Sequence, residues 1–180
     1  MSFHALSSSY LYSASFYHFS LADKELLALD IAPSLPTDMS ERIRIVQSQL
    51  KELLHLAGQV VFDYQVADMP HKANMIMLYR GLVFVFVFRI GEREYKAEDI
   101  ALAQEFAMAL KKDHSLCADR YIVPVVIATE AGPKGCDIEV SPQRVMNTIV
   151  DNGNNLAALL EHFANQFKAD EIEVIRWLEE

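Results

Sequence analysis

The chain is poor in the residues that mark several common protein classes. It has two cysteines, Cys117 and Cys136, outside any C-x-x-C arrangement. We therefore expect no disulfide framework and no cysteine-based zinc site, and the predicted compartment is the cytoplasm. Its longest unbroken apolar run, Leu82–Phe88, is far shorter than the roughly 20 residues of a membrane-spanning helix. The first residues lack the basic start and continuous apolar stretch of a secretory signal.

Glycine and positive charge are also scarce. The six glycines form no G-x-G-x-x-G and no G-x-x-x-x-G-K-[ST] motif, which argues against a phosphate-binding loop. No serine lies in a G-x-S-x-G elbow, and no two histidines have the spacing of zinc ligands. With 16 basic and 25 acidic residues the formal net charge is −9, which is unfavourable for attracting a nucleic acid.

Apolar residues, by contrast, recur along the whole chain. They make up 52% of its 180 residues, enough to bury the core of one domain. Within that domain we predict a helical extension over 1–36, a core over 38–131 and a helical carboxy-terminal part over 132–180. In the extension, Asp23 is placed to cap a short helix that runs to Leu29.

Hydrophobic spacing predicts the order of elements in the core. An apolar stripe at helical period favours a helix over Asp38–Ala57, stopped by Gly58. The later segments are predicted as strands Gln59–Val66, Asn74–Tyr79 and Leu82–Ile90, helix Lys96–His114 and strand Tyr121–Thr129. The strand over Leu82–Ile90 is apolar on both faces and is therefore expected at the centre of the sheet. Pro124 favours a sheet edge or a bulge for the last strand.

This α-β-β-β-α-β order predicts an α/β (α+β) fold in which a mixed sheet is flanked by helices. Beyond it, Ser141-Pro142 is predicted to start a short helix and Asn154 or Asn155 a second. Asp170 and Glu173 are predicted to start a third, which carries Trp177.

Three stretches, in the same order of elements, resemble a known family. They are SSSYLYSASF at 7–16, NMIMLYRGLVFVFVFRIGEREY at 74–95 and IVPVVIATEA at 122–131. In these stretches the chain resembles the amino-terminal PD-(D/E)XK, or restriction-endonuclease-like, domain of bacterial Schlafen-group DNA/RNA helicase-like proteins. The resemblance covers most of residues 1–131.

The resemblance also implies where a nuclease site would lie. Active members of that superfamily hold Mg²⁺ with an aspartate on the second strand and a Glu-x-Lys on the third. The matching positions here are Asn74 for the aspartate, Val87 for the glutamate and Arg89 for the lysine, with Leu102 at a supporting position of the next helix. Valine cannot bind a cation, and arginine does not readily act as a base. The resemblance therefore implies a degenerate, catalytically inactive nuclease-like domain without a cofactor.

Two alternatives remain open at this point. Glu94-Tyr95-Lys96 spells Glu-x-Lys, so displaced ligands Asp68, Glu94 and Lys96 would make an active Mg²⁺-dependent nuclease. A nucleic-acid-binding module would instead use a local basic patch, whose candidates are Arg89, Arg93, Lys96, Lys111, Lys112 and Lys134. The leading hypothesis is a binding or regulatory domain that acts on a protein partner or a helicase-type module, in nucleic-acid metabolism or phage defence.

Overall fold

The computed structural model describes residues 10–31, 36–135 and 137–179, with the backbone alone at 36 and 37. Across these residues six strands form one mixed sheet in chain order. They are β1 (Tyr12–Ser15), β2 (Gly58–Tyr64), β3 (Ala73–Tyr79), β4 (Leu82–Arg89), β5 (Ile122–Ala128) and β6 (Ile149–Asp151). Neighbours from β1 to β4 are antiparallel, whereas β4, β5 and β6 are parallel.

Helices cover both faces of this sheet. They are α1 (Phe16–Leu21), α2 (Lys24–Ile31), α3 (Pro36–Leu50), α4 (Ala97–Asp113), α5 (Leu156–Phe167) and α6 (Val174–Leu178). Buried residues of α1, α2, α3 and α5 share one apolar cluster with one face of the sheet, and those of α4 and α6 share the other. The α3-β2-β3-β4-α4-β5 succession confirms the predicted α-β-β-β-α-β order and the mixed sheet flanked by helices. None of the described helices has the length and apolar character needed to cross a bilayer.

The central position predicted for β4 is confirmed. It pairs with β3 on one side and β5 on the other. Its leucine and phenylalanines pack under α3 and α5, and its valines pack under α4. An apolar residue at every step is what a strand covered on both faces requires.

The predicted end of the first core helix is wrong. Helix α3 stops at Leu50, so that Leu54 is 85% exposed and Ala57 also faces solvent. Gly58 is not a helix stop but the first residue of β2. A Cβ atom at Gly58 would lie 2.5 Å from the ring of Phe16, so a close approach of α1 to the sheet explains the glycine.

The amino-terminal extension is also not helical throughout. Strand β1 adds to the edge of β2, with Tyr12 opposite Phe62. The two rings pack edge to face at 5.9 Å, which stabilises the pairing. The capping role predicted for Asp23 is confirmed, because its Oδ1 accepts from the backbone N–H groups of Glu25 and Leu26 at 3.1 and 3.0 Å.

Pro124 lies in an interior strand, so the prediction of a sheet edge is wrong. Ile122, two residues earlier, donates its N–H toward the β6 side, to the carbonyl of Arg144 at 3.0 Å. Backbone nitrogens alternate in direction along a strand, so the nitrogen of Pro124 faces the same side. There β6 begins only at Ile149, opposite Val125. The proline therefore occupies a gap in the ladder where no N–H is needed.

The carboxy-terminal part mixes a strand with helices. The helix predicted at Ser141-Pro142 is wrong, because residues 137–148 form turns and isolated bridges that lead into β6. The two later helices are confirmed as α5 and α6. Trp177 of α6 is fully buried, with its ring stacked 4.3 Å from the His114 ring. Leu156, Leu160 and Phe163 are buried as predicted, and Leu159 is half-buried.

Candidate functional site: a polar cleft at the end of the central strands

A polar cleft of about 340 Å³ opens where β2 and β4 end and β3 begins. It lies between the first halves of α3 and α4, so that both helices contribute side chains. The cleft is lined by Arg42, Asp63, His71, Lys72, Asn74, Arg89 and Leu102. Three of the four positions implied by the family resemblance, Asn74, Arg89 and Leu102, therefore meet at one place.

An irregularity in β2 shapes this end of the sheet. Asp63 has a φ of +50°, in the left-handed region that aspartate tolerates better than most residues. Phe62 packs on the α3 face and Tyr64 on the α4 face, although strand alternation would put both on the same face. The backbone turn at Asp63 thus breaks the pleat at the cleft.

Arg42 of α3 holds this irregular segment in place. Its Nη1 donates to Oδ1 of Asp63 at 3.1 Å and to the carbonyl of Asn74 at 3.0 Å. Its guanidinium also lies 5.3 Å from the ring centre of Phe62 and 6.0 Å from that of Phe88. With the side chain only 14% exposed, these are charge-assisted contacts largely shielded from solvent. One arginine therefore ties α3 to β2, β3 and β4.

Asn74 links β3 to the end of β4. Its Oδ1 accepts from the backbone N–H of Phe88 at 2.8 Å and from Nη1 of Arg89 at 3.3 Å. The side-chain oxygen thus continues the β3–β4 pairing beyond Met75 and Phe86. The Asn74 side-chain oxygen is therefore used by the backbone and by a guanidinium.

Arg89 completes the network on the α4 side. Its Nη2 and Nε lie 3.0 and 3.1 Å from Oδ1 of Asp99, in the first turn of α4. The Asp99 side chain is 8% exposed and that of Arg89 35%. A carboxylate in the first turn of a helix is also favoured by the helix dipole. The guanidinium therefore lies between the oxygens of Asn74 and Asp99, and it already balances the negative charge of Asp99.

Val87 is the implied position that does not reach the cleft. Its side chain is 1% exposed and packs in the α4-side core, beside Val126 in the register of β4 and β5. Arg89, two residues later on the same face, is the first side chain of β4 to emerge from that core. Val87 therefore acts as a core residue.

The displaced nuclease ligands lie away from the cleft. Asp68 and Glu94 are exposed, and Nζ of Lys96 is 3.3 Å from a carboxylate oxygen of Glu92. None of the three displaced ligands lines the cleft. In the described ranges, no group of three or more His, Cys, Asp or Glu side chains is arranged to hold a metal ion.

The basic candidates are likewise dispersed. Among them only Arg89 lines the cleft; Arg93, Lys112 and Lys134 are exposed elsewhere. Lys111 is bound locally, because its Nζ donates to the carbonyl of Cys117 at 2.8 Å and to that of Arg120. Burial lowers the pKa of this lysine from its ordinary value.

Several cleft residues were missed by sequence reasoning. Arg42, His71 and Lys72 line the cleft, and Asp99 lies behind Arg89, but no catalytic motif marks the segments that contain them. Asp63 interrupts the mostly apolar stretch QVVFDYQV, and this charged residue inside a predicted strand is the signal that could have marked it. The sequence marks Arg42 less clearly, because it is only a basic residue beside the apolar stripe of α3.

Comparison of the chain with protein-family models, with curated proteins and with solved structures gives no match. Functional inference therefore depends on the geometry of the cleft itself.

Proposed function

We propose that the chain is a pseudo-nuclease: a nuclease-like domain that acts by binding rather than by metal-dependent hydrolysis. The observation that supports this is the position of Arg89, whose guanidinium donates to both Asn74 and Asp99. A divalent cation placed between these oxygens would have to displace a tethered positive charge. Mg²⁺ also requires near-octahedral oxygen coordination and usually one or two free carboxylates.

The remaining carboxylate of the cleft supports the same proposal. Asp63 is paired with Arg42 at 3.1 Å, as Asp99 is with Arg89 at 3.0 Å. Each carboxylate is thus already balanced by an arginine of the chain. Val87, where a catalytic glutamate would stand, is buried among apolar side chains, where an unpaired carboxylate would be costly.

As a binding domain, the chain would act on a protein partner or a helicase-type module in nucleic-acid metabolism or phage defence, and the cytoplasm is its proposed location. The two cysteines of the chain lie outside any C-x-x-C arrangement, and that pattern suits a reducing compartment. The net charge of −9 supports a protein partner over a nucleic acid, because phosphate chains would be repelled at long range.

Metal titration tests the proposal directly. A ligand stabilises a fold by RT ln(1 + [L]/Kd), so Mg²⁺ or Mn²⁺ at 5 mM should leave the melting temperature of the protein unchanged. Plasmid, linear DNA and RNA should survive incubation with the protein under the same conditions. Metal-dependent cleavage that is abolished by Glu94→Gln, but kept by the matched change Glu105→Gln on the exposed side of α4, would overturn the proposal and establish the displaced-ligand nuclease.

A further inference from the structure

The cleft is unusual in its balance of hydrogen-bond donors and acceptors. Arginine and lysine side chains only donate, and the oxygen of Asn74 is already used by Phe88 and Arg89. Its amide nitrogen has no partner among the described residues, and neither has Lys72. Among the described lining residues, Asp63 is thus the one carboxylate, and Arg42 takes one of its two oxygens.

Charge points in the same direction. Three cations, Arg42, Lys72 and Arg89, line the cleft together with a single carboxylate. The cleft keeps an excess of positive charge even when Asp99, which pairs with Arg89, is included in the count. The chain as a whole has a net charge of −9. The cleft is therefore a locally positive hollow in an acidic protein, and a donor-rich hollow favours a ligand that brings acceptors and negative charge.

The size of the positive region limits the ligand. A groove for a nucleic acid follows several successive phosphates with basic residues, yet Arg93, Lys111 and Lys112 lie outside this cleft. A hollow of about 340 Å³ suits one or two carboxylates on an otherwise uncharged segment. The carboxylate of such a ligand would be attracted to Lys72 at short range. Its small charge would meet little of the long-range repulsion that the net charge of −9 exerts on a polyanion.

We propose that the cleft binds a glutamate- or aspartate-containing segment of a protein partner, with Lys72 and the Asn74 amide donating to its carboxylate. This inference rests on the proposed binding function and assigns the partner chemistry to that same site. Arg42 and Arg89, already held by Asp63 and Asp99, would keep the donors in place rather than move on binding, so the site is largely preformed.

The probe is the tetrapeptide acetyl-Gly-Glu-Glu-Gly-amide, titrated into ¹⁵N-labelled protein at 50 mM NaCl. Amide shifts should concentrate at Lys72, Asn74 and Arg89. The neutral peptide acetyl-Gly-Gln-Gln-Gly-amide should give no such shifts. Lys72→Gln should weaken binding about threefold, as expected for one solvent-exposed charge pair, and 500 mM NaCl should weaken it further.

Lys168→Gln is the matched control, because it removes an exposed lysine beyond the end of α5 and should leave binding unchanged. Lys72 is itself exposed, so its replacement should not affect folding. Equal shifts with both peptides, or no effect of Lys72→Gln, would overturn the inference.

A 12-nucleotide DNA or RNA oligomer is the third probe, after the glutamate peptide and the neutral peptide. If it binds the cleft more tightly than the glutamate peptide, and loses affinity in Lys72→Gln, the partner is a nucleic acid and the inference is wrong. None of these arms contains a metal ion, so their failure is distinguishable from failure of the proposed function, which the metal titration and the nuclease assays decide.

Discussion

Arg89 at the end of β4 and Asp99 in the first turn of α4 form an ion pair with an N–O distance of 3.0 Å. The carboxylate is 8% exposed, and the guanidinium also donates to Asn74 on β3. The pair therefore joins the central strand, its antiparallel neighbour and the helix that covers them. Its geometry fixes both the shape and the charge of the cleft.

Replacing Asp99 by asparagine should destabilise the protein. The variant keeps the side-chain shape but leaves the partly buried guanidinium of Arg89 without its counter-charge. Because Arg89 is 35% exposed, solvent will compensate in part, and we expect a loss of about 1–2 kcal/mol in the free energy of unfolding. Urea unfolding followed by circular dichroism measures this value.

Glu92→Gln is the control for that change. It removes an exposed ion pair with Lys96, at 3.3 Å, and should cost less than about 0.5 kcal/mol. If both variants lose the same small amount, the Arg89–Asp99 pair has no structural role in the cleft.

Introducing the three nuclease groups that the resemblance implies tests whether this scaffold can form a metal site. The variant carries Asn74→Asp, Val87→Glu and Arg89→Lys. The hydrogen bond from the Phe88 N–H to the Asn74 side chain, at 2.8 Å, places residue 74 beside this part of β4. A glutamate at the buried position 87 should cost several kcal/mol without a cation.

Mg²⁺ at 5 mM should therefore raise the melting temperature of the triple variant and leave that of the wild type unchanged. Val87→Glu alone is the control, because it introduces the buried charge without its two companions. A triple variant that folds without responding to Mg²⁺ would show that the cleft does not have the geometry of a nuclease metal site.

The order and spacing of the core helices and strands could be predicted from the sequence because burial imposes a periodic pattern of apolar residues. The phenylalanine and valine faces of β4 and the apolar stripe of α4 each match a predicted element. The exceptions have tertiary causes. Gly58 resembles a helix stop, yet it is needed because the Phe16 ring lies against it. Pro124 resembles an edge residue, yet it fits a gap left by the short strand β6.

Only part of the cleft could be predicted from the sequence. Asn74, Arg89 and Leu102 were identified through a resemblance, and they do meet in space. Their partners come from other elements: Arg42 lies 32 residues from Asn74 in the chain and binds its carbonyl. Such a contact depends on how α3 crosses the sheet, which hydrophobic spacing does not encode. The left-handed backbone of Asp63 likewise has no local sequence signature.

Tyr79→Phe should alter the response of stability to alkaline pH. Burial, and then the 2.6 Å hydrogen bond to Glu161, raise the pKa of the Tyr79 phenol above its ordinary value. The folded state thus holds this proton more tightly than the unfolded state. The resulting stabilisation is complete below pH about 10 and is lost as pH rises above it toward the folded-state pKa.

The wild type should therefore lose stability more steeply than Tyr79→Phe between pH 9 and 11, as measured by urea unfolding at each pH. At pH 7 the variant should lose about 1 kcal/mol, the usual net contribution of one intramolecular hydrogen bond. Tyr17→Phe, which changes an exposed ring, should alter neither the stability at pH 7 nor the slope between pH 9 and 11. Identical slopes for all three proteins would contradict the role given to Tyr79.

The turn between β3 and β4 depends on a glycine for two separable reasons. Arg80 and Gly81 both have positive φ, +51° and +86°, as in the two-residue turns that suit the twist of a hairpin. The carbonyl of Arg80 also accepts from the N–H of Ala169 at 2.9 Å, which draws the segment after α5 onto the turn. A Cβ atom at Gly81 would lie 2.5 Å from the carbonyl oxygen of Ala169, a backbone atom that cannot rotate away.

Gly81→Ala should accordingly destabilise the protein by about 2–3 kcal/mol, the sum of left-handed strain and a backbone clash. Gly91→Ala separates the backbone strain from the clash, because Gly91 has a φ of +83° but an added Cβ atom would have nothing within 4 Å. It should lose only the strain, about 1 kcal/mol. Gly132→Ala, with open space and no positive φ, should stay within about 0.5 kcal/mol of the wild type. Urea unfolding ranks the three, and equal losses at Gly81 and Gly91 would mean that the contact with Ala169 contributes nothing to the stability of the hairpin.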